Sequence, residues 1–366
     1  MAGPMLLAWA LAALPAIAQA ADEHLVAVVA TRGSVHQPFG EEIVVGATAE
    51  AERLNRNGGV LGASIRLVTW QEDCSRERAI EVAEEIVRLK PAVVIGHLCA
   101  GAALAAAPIY AAAGVLMIAP GVRHPSLTRP DVAKGLVLRL AGRDDRFATD
   151  TVTFIRSRKL WKSVAVIADR TRQARSMADG IASEARHRQL PIALDVRIES
   201  GEKSYAGLVQ RVKRSGAGVI VMPAQPIELG VVAGNLRRAG VEAPIVGSEI
   251  LAVPAIRATA EAEKDRLVLM LPWTGLERVG GVGAMPLPLH GASEPSRRRA
   301  EAALEVWAAL AKLAGSAAAS AVAGAARTNS VATAVGPLRF DDRGDALVPS
   351  YVPSTWRGGR WQPVDD

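Results

Sequence analysis

The chain has 366 residues, 50% of them apolar and 22% charged, with a formal net charge of +6. That balance belongs to a soluble globular protein with room for two domains. It argues against nucleic acid as a partner: the basic residues are scattered, no aromatic–basic surface pattern accompanies them, and their one cluster, "SRRRAE" at 296–301, opens a helical pattern as a solvated face.

The N-terminus reads "MAGPMLLAWALAALPAIAQA". An apolar run from Met5 to Ile17 precedes the small-x-small pattern Ala18-Gln19-Ala20, and charge begins only at Asp22 and Glu23. These are the h-region and cleavage site of a secretory signal over residues 1–20, although the basic residue usual ahead of the run is missing. The run is too short for a stable membrane anchor, and no later stretch is long and apolar enough to span a bilayer. The exported chain then works in an oxidising compartment, where its two cysteines, Cys74 and Cys99, read as one disulfide. Two readings compete. A zinc site of Cys74, Cys99 and His97 lacks a fourth ligand at a usual spacing. A catalytic Cys99–His97 pair would join groups two positions apart, whereas nucleophile and base usually come from distant segments.

Beyond the signal the pattern is strand, helix, strand, repeated. "LVAVVAT" predicts a strand, followed by a helix from about Phe39 to Asn57 that stops at Gly58-Gly59. "SIRLVTW" is the next strand. In "SRERAIEVAEEIVRLK", Ala79, Ala83, Ile86 and Val87 share one helical face, and Ser75 caps the start. "AVVIG", "GAALAAAPIYAAA" and "VLMIAP" continue as strand, helix and strand. The alternation restarts at Ser163 with "SVAVIAD", and runs through "ALDVRIES", "GVIVMP" and "PIVGSE" with helices between them. The two units join near "RLAGRDDRF". "LVLMLPW" opens a third section, with a Gly/Pro-rich loop over 280–295 and a helix from about Arg297 to Ala314. The rest reads as β-structure with tight turns at 342–344 and 358–359. Near-continuous apolar strands alternating with helices predict parallel sheets covered on both faces.

In such sheets a ligand binds beyond the carboxyl ends of the strands. Those ends fall at 31–39, 96–101 and 119–124 in the first unit, and at 169–173, 223–225 and 247–249 in the second. If the units face each other, all six loops line one cleft. No catalytic constellation appears there. "ATRGSVHQPFGEE" lacks a dinucleotide Gly-x-Gly core, and there is no P-loop, nucleophile elbow or paired-His metal motif. His97 and His124, in candidate cleft loops, read as structural hydrogen-bonders.

At this level of detail the chain resembles the periplasmic leucine/isoleucine/valine-binding proteins, the type I solute receptors of ABC importers. The resemblance is carried by "EEIVVGATAEAERLNRNGGVLGASIRLV", by "EDCSRERAIEVAEEIV" and "VVIGHLCAGAALAAAPIYAAAGVLMIAP", and by "GEKSYAGLVQRVK", "LRRAG" and "NSVATAVGPLRFDDRGD". It implies an α/β, type I periplasmic-binding-protein fold: two doubly wound parallel-sheet lobes joined by three crossovers. Lobe one would comprise 22–141 plus 272–348, and lobe two 142–271 plus 349–366. It implies a periplasmic monomer that uses no cofactor, closes on a small solute such as an amino acid, and delivers it to an inner-membrane ABC permease. The cysteines stand where the family carries its disulfide. A sensing module of the same fold is the alternative, and an α/β enzyme a more distant one.

The resemblance also implies a pocket, with departures. Ala100, followed by Gly101, stands where the family has a ligand-binding serine. Arg123 takes the place of a threonine, and Gly121 that of a backbone acceptor. Glu249 matches the carboxylate that meets the solute's ammonium. Phe39, Gln173 and Gln225 correspond to framing aromatics. A guanidinium in place of hydroxyls offers a carboxylate a bidentate grip, and glutamines make the pocket more polar. The expected solute therefore carries an anionic group and is not simply leucine. The alternatives for Arg123 are solvent exposure or an ion pair with Glu249.

Overall fold

The structure is a computed structural model that describes residues 22–33, 36–202, 205–263, 266–275 and 294–364. The expected signal over 1–20 and most of the 280–295 loop lie outside the described residues. The first half forms β1 (Glu23–Thr31), α1 (Gln37–Arg56), β2 (Ser64–Glu72), α2 (Arg76–Arg88), β3 (Val93–Ile95), α3 (Ala100–Ala112), β4 (Met117–Ala119), a short α4 (Pro130–Ala133) and β5 (Val137–Arg139). Its five strands make one parallel sheet in the order β2-β1-β3-β4-β5.

Strand periodicity explains why this sheet is buried on both faces. Successive side chains of β1 point opposite ways. Val26 and Val28 join the core under α1, whereas Ala27 and Val29 join the core under α2 and α3. The α2 face holds as predicted for Ala79, Ala83 and Ile86, with Val82 added, and the Ser75 hydroxyl accepts from the Arg78 N–H at 3.2 Å.

The second half repeats the plan with α5 (Phe147–Ser157), β6 (Val164–Asp169), α6 (Arg172–His187), β7 (Ile192–Ile198), α7 (Ala206–Ser215), β8 (Val219–Val221), α8 (Pro226–Arg238), β9 (Ile245–Ser248), α9 (Arg257–Ala262) and β10 (Leu267–Pro272). The chain then returns to the first core with α10 (Glu294–Ala314) and α11 (Ala319–Ala326). Gly46 permits the close α1–α10 approach, since a Cβ there would lie 2.2 Å from the Arg297 carbonyl oxygen. A hairpin of β11 (Val331–Thr333) and β12 (Gly336–Leu338) follows. Finally β13 (Tyr351–Arg357) and β14 (Arg360–Pro363) add an antiparallel edge to the second sheet, ordered β14-β13-β10-β9-β8-β6-β7. Their turn is Gly358-Gly359, with φ of 57° and 77°, the positive pair that a two-residue hairpin of matching twist requires.

Three elements escape the periodic pattern. β5 is three residues long and ends on a buried arginine. α5 is rich in threonine, and α11 carries no charge to mark an outer face. "LVLMLPW" does not open a third section: β10 pairs between β9 and β13 and is part of the second sheet. The chain therefore passes between the two sheets three times, after β5, after β10 and before β13. Among the described residues no single helix is long and apolar enough to cross a membrane.

Candidate functional site

The strand-end loops of the first sheet surround a depression of about 470 Å³. Phe39, Ala100, Gly121 and Arg123 line it, together with Cys99 and Asp144. Gly101 is exposed in the first turn of α3 beside it. The rim is pinned by its own sequence. Cys99 caps α3 and is bonded to Cys74, with a Cα–Cα distance of 5.4 Å. The buried Glu72 carboxylate accepts from the Thr31 hydroxyl at 2.7 Å and from the Cys74 N–H at 2.7 Å. Burial pushes the Glu72 carboxyl above its ordinary value, although those two hydrogen bonds pull it down.

The cysteines are thus bonded to each other, not to a metal, and His97 is no base for Cys99. The imidazole is fully buried behind the rim, with Nε2 3.1 Å from the Tyr110 hydroxyl. Desolvation lowers its pKa to about 3, so it stays neutral. Breaking the disulfide by Cys74→Ser/Cys99→Ser reopens a separation of 25 positions and is expected to cost about 3 kcal/mol, read as a lowered urea midpoint.

On the second sheet, Asp169 laces two loops together. Fully buried at the end of β6, its Oδ1 accepts from the Thr171 N–H at 2.9 Å and hydroxyl at 2.6 Å, while Oδ2 accepts from the Gln225 N–H at 2.7 Å. Gln225 is half-buried and lines a separate hollow of about 610 Å³ with Ile227, Glu228 and Ala255. Gln173 is exposed in the first turn of α6 and lines neither space.

The two sheets meet at Tyr351, the first residue of β13. The Arg123 guanidinium carbon lies 4.5 Å from the centre of the Tyr351 ring, and the phenol donates to Glu249 Oε1 at 3.4 Å. The other oxygen, Oε2, is buried with no hydrogen-bond partner among the described residues. Burial raises the Glu249 pKa, with Arg123 and Tyr351 pulling the other way. Burial raises Tyr351 as well, and the Glu249 charge adds to the shift. Arg123 is neither free in solvent nor paired with Glu249. Its Nε donates to the Gly142 carbonyl at 3.1 Å and its Nη2 to the Ser350 carbonyl at 3.3 Å. Of the expected residues, then, Phe39, Ala100, Gly121 and Arg123 share one depression, and Glu249 reaches Arg123 through Tyr351. Gln173 and Gln225 stand apart from both. Tyr351 and Asp169 were not singled out by sequence. Asp169 ends a strand and precedes a threonine cap, which is a legible signal; Tyr351 carries none.

Comparison with known proteins agrees with the fold. A family model described as periplasmic binding protein matches residues 25–284. A leucine-, isoleucine-, valine-, threonine- and alanine-binding protein of Pseudomonas aeruginosa is 27% identical over 353 residues, covering 95% of this chain and 94% of that protein. Among solved structures, a putative branched-chain amino acid ABC transporter from Rhodospirillum rubrum superposes with a TM-score of 0.73 at 17% identity, over 94% of this chain and 100% of the other. An ABC transporter substrate-binding protein from Desulfitobacterium hafniense in complex with Leu gives 0.66 at 19% identity, over 94% and 100%. Two mainly parallel-sheet units joined three times, and a family match across most of the chain, place this protein in the periplasmic binding protein family.

Proposed function

We propose that this chain is the periplasmic receptor of an ABC importer, which captures an amino acid or related small carboxylate between two lobes and passes it unchanged to an inner-membrane permease. Lobe one is 22–141 plus 272–348, and lobe two 142–271 plus 349–366. The protein acts as a monomer, exported by the signal over 1–20. The observation that carries the reading is the convergence of Arg123 from one sheet and Glu249 from the other on Tyr351. A positive and a negative group on opposite lobes suit a zwitterion or amine-bearing carboxylate. Closure of the lobes would desolvate the half-buried Arg123 charge around the solute, beside the already buried Glu249 carboxyl.

Phe39, Ala100, Gly101 and Gly121 form the wall on one side, and Gln173 and Gln225 approach from the other as the lobes close. Glu249 is the group for a solute ammonium: its buried Oε2 has no hydrogen-bond partner among the described residues. Calorimetry against amino acids and small carboxylates tests the proposal. At least one should bind, and Glu249→Gln should weaken an amine-bearing ligand by about 1.5–3 kcal/mol, the value of a charge-assisted hydrogen bond. Failure of every amino acid and carboxylate to bind the folded protein would overturn it.

A further inference from the structure

We propose that Arg123 is a hinge latch: its Nε–Nη2 edge holds together the connections between the sheets, so the solute-facing loop after β4 moves with the hinge. The edge of the guanidinium that would grip a carboxylate bidentately is here committed to two main-chain carbonyls. Gly142 belongs to the connection after β5, and Ser350 to the connection before β13. The third connection joins at the same point, because the Trp273 N–H donates to the Ser350 carbonyl at 3.2 Å. The Ser350 hydroxyl accepts from the Arg143 N–H at 3.0 Å. One residue, Ser350, therefore touches all three connections, and Arg123 caps it from the solute side. The Tyr351 ring covers the guanidinium at 4.5 Å, which shields these bonds from water and fixes the plane of the fork.

Contact between the connections is close enough to depend on a missing side chain. A Cβ on Gly142 would lie 2.4 Å from Ser350 Cα and 2.8 Å from the Pro349 carbonyl oxygen. The fork geometry is what matters: a lysine ammonium is a compact point charge on a flexible stem and lacks the rigid planar pair of donors that holds two carbonyls at a fixed spacing. Besides the positive charge it presents to the cleft, Arg123 thus acts on the hinge as a positioning residue. The loop bearing Gly121 and Arg123 is tied to the pivot, not only to its own sheet, and displacement of that loop by a solute is transmitted to the connections.

The test uses the exported chain without any solute, so its outcome is independent of what the cleft binds. Hydrogen exchange is followed at the Arg143 and Trp273 amides, and the distribution of lobe separations by small-angle X-ray scattering. Arg123→Ala and Arg123→Lys are both expected to speed exchange of those amides at least about tenfold, the loss of one charged hydrogen bond, and to broaden the lobe separations. Amides in β3 and β8 should keep their rates. Gly142→Ala, which leaves the guanidinium intact but forces the same connections apart, should give the same pattern and serves if the Arg123 variants do not fold. Wild-type exchange in Arg123→Ala, full restoration by Arg123→Lys, or an unchanged Gly142→Ala protein would each overturn the latch.

Discussion

Asp345→Ala is expected to destabilise the protein by about 3–5 kcal/mol, because it strands a buried guanidinium. Arg139, at the end of β5, is fully buried. Its Nε and Nη2 donate to Asp345 Oδ1 at 3.0 and 2.5 Å, and its other bonds reach the His124 carbonyl and the Thr128 hydroxyl. Arg143 adds a second cation 3.6 Å from Oδ2. The pair also pins main chain: the Arg139 N–H donates to the Gly344 carbonyl at 2.8 Å, and the Ala346 N–H donates to the Arg139 carbonyl at 2.9 Å. Removing either partner leaves the other desolvated. Replacing both, as Arg139→Met with Asp345→Leu, should recover most of the loss, since a packed apolar pair needs no charge compensation. Urea unfolding of both single variants and the double variant gives the cycle. Single-variant losses below about 1 kcal/mol, the range of an exposed pair, would show that water reaches the site.

His97 should make the protein acid-sensitive. Its folded pKa is lowered by burial from 6.5 to about 3, so the unfolded chain binds a proton that the folded one refuses. Stability from this group is complete above its unfolded value and falls as pH drops from 6.5 towards 3. The loss reaches about 3 kcal/mol near pH 4.5. His97→Gln keeps a polar partner for Tyr110 and removes the titration. Its stability relative to wild type should therefore rise by that amount between about pH 7 and pH 4.5. The raised carboxyls of Glu72 and Glu249 have the opposite sign, because the folded state binds their protons more tightly; they are common to both proteins and cancel in the difference. A constant difference between variant and wild type across that range would refute the burial argument.

Much of the fold is legible because hydrophobic periodicity is local. "LVAVVAT" alternates between two cores, "SRERAIEVAEEIVRLK" shows one apolar face, and the restart at "SVAVIAD" marks a second unit. The same local signals fail at β5, α5 and α11, which are too short, too β-branched or too uniformly small to show a period. In the candidate site, Arg123 and Glu249 stand out as charges at strand ends. Their geometry does not, because it depends on Tyr351, which lies 102 positions from Glu249 in the chain.

From its amino-acid order alone the chain set its class: paired α/β units and one pair of cysteines that bond to each other. Only the tertiary structure decided that β10 and β13 complete the second sheet, that Asp345 neutralises Arg139, and that Arg123 spends its fork on the connections. Arg139 and Asp345 are 206 positions apart, and Arg123 and Ser350 are 227. Periodicity is set by a residue's immediate neighbours, whereas the partner of a buried charge is whichever group the closed topology carries to it.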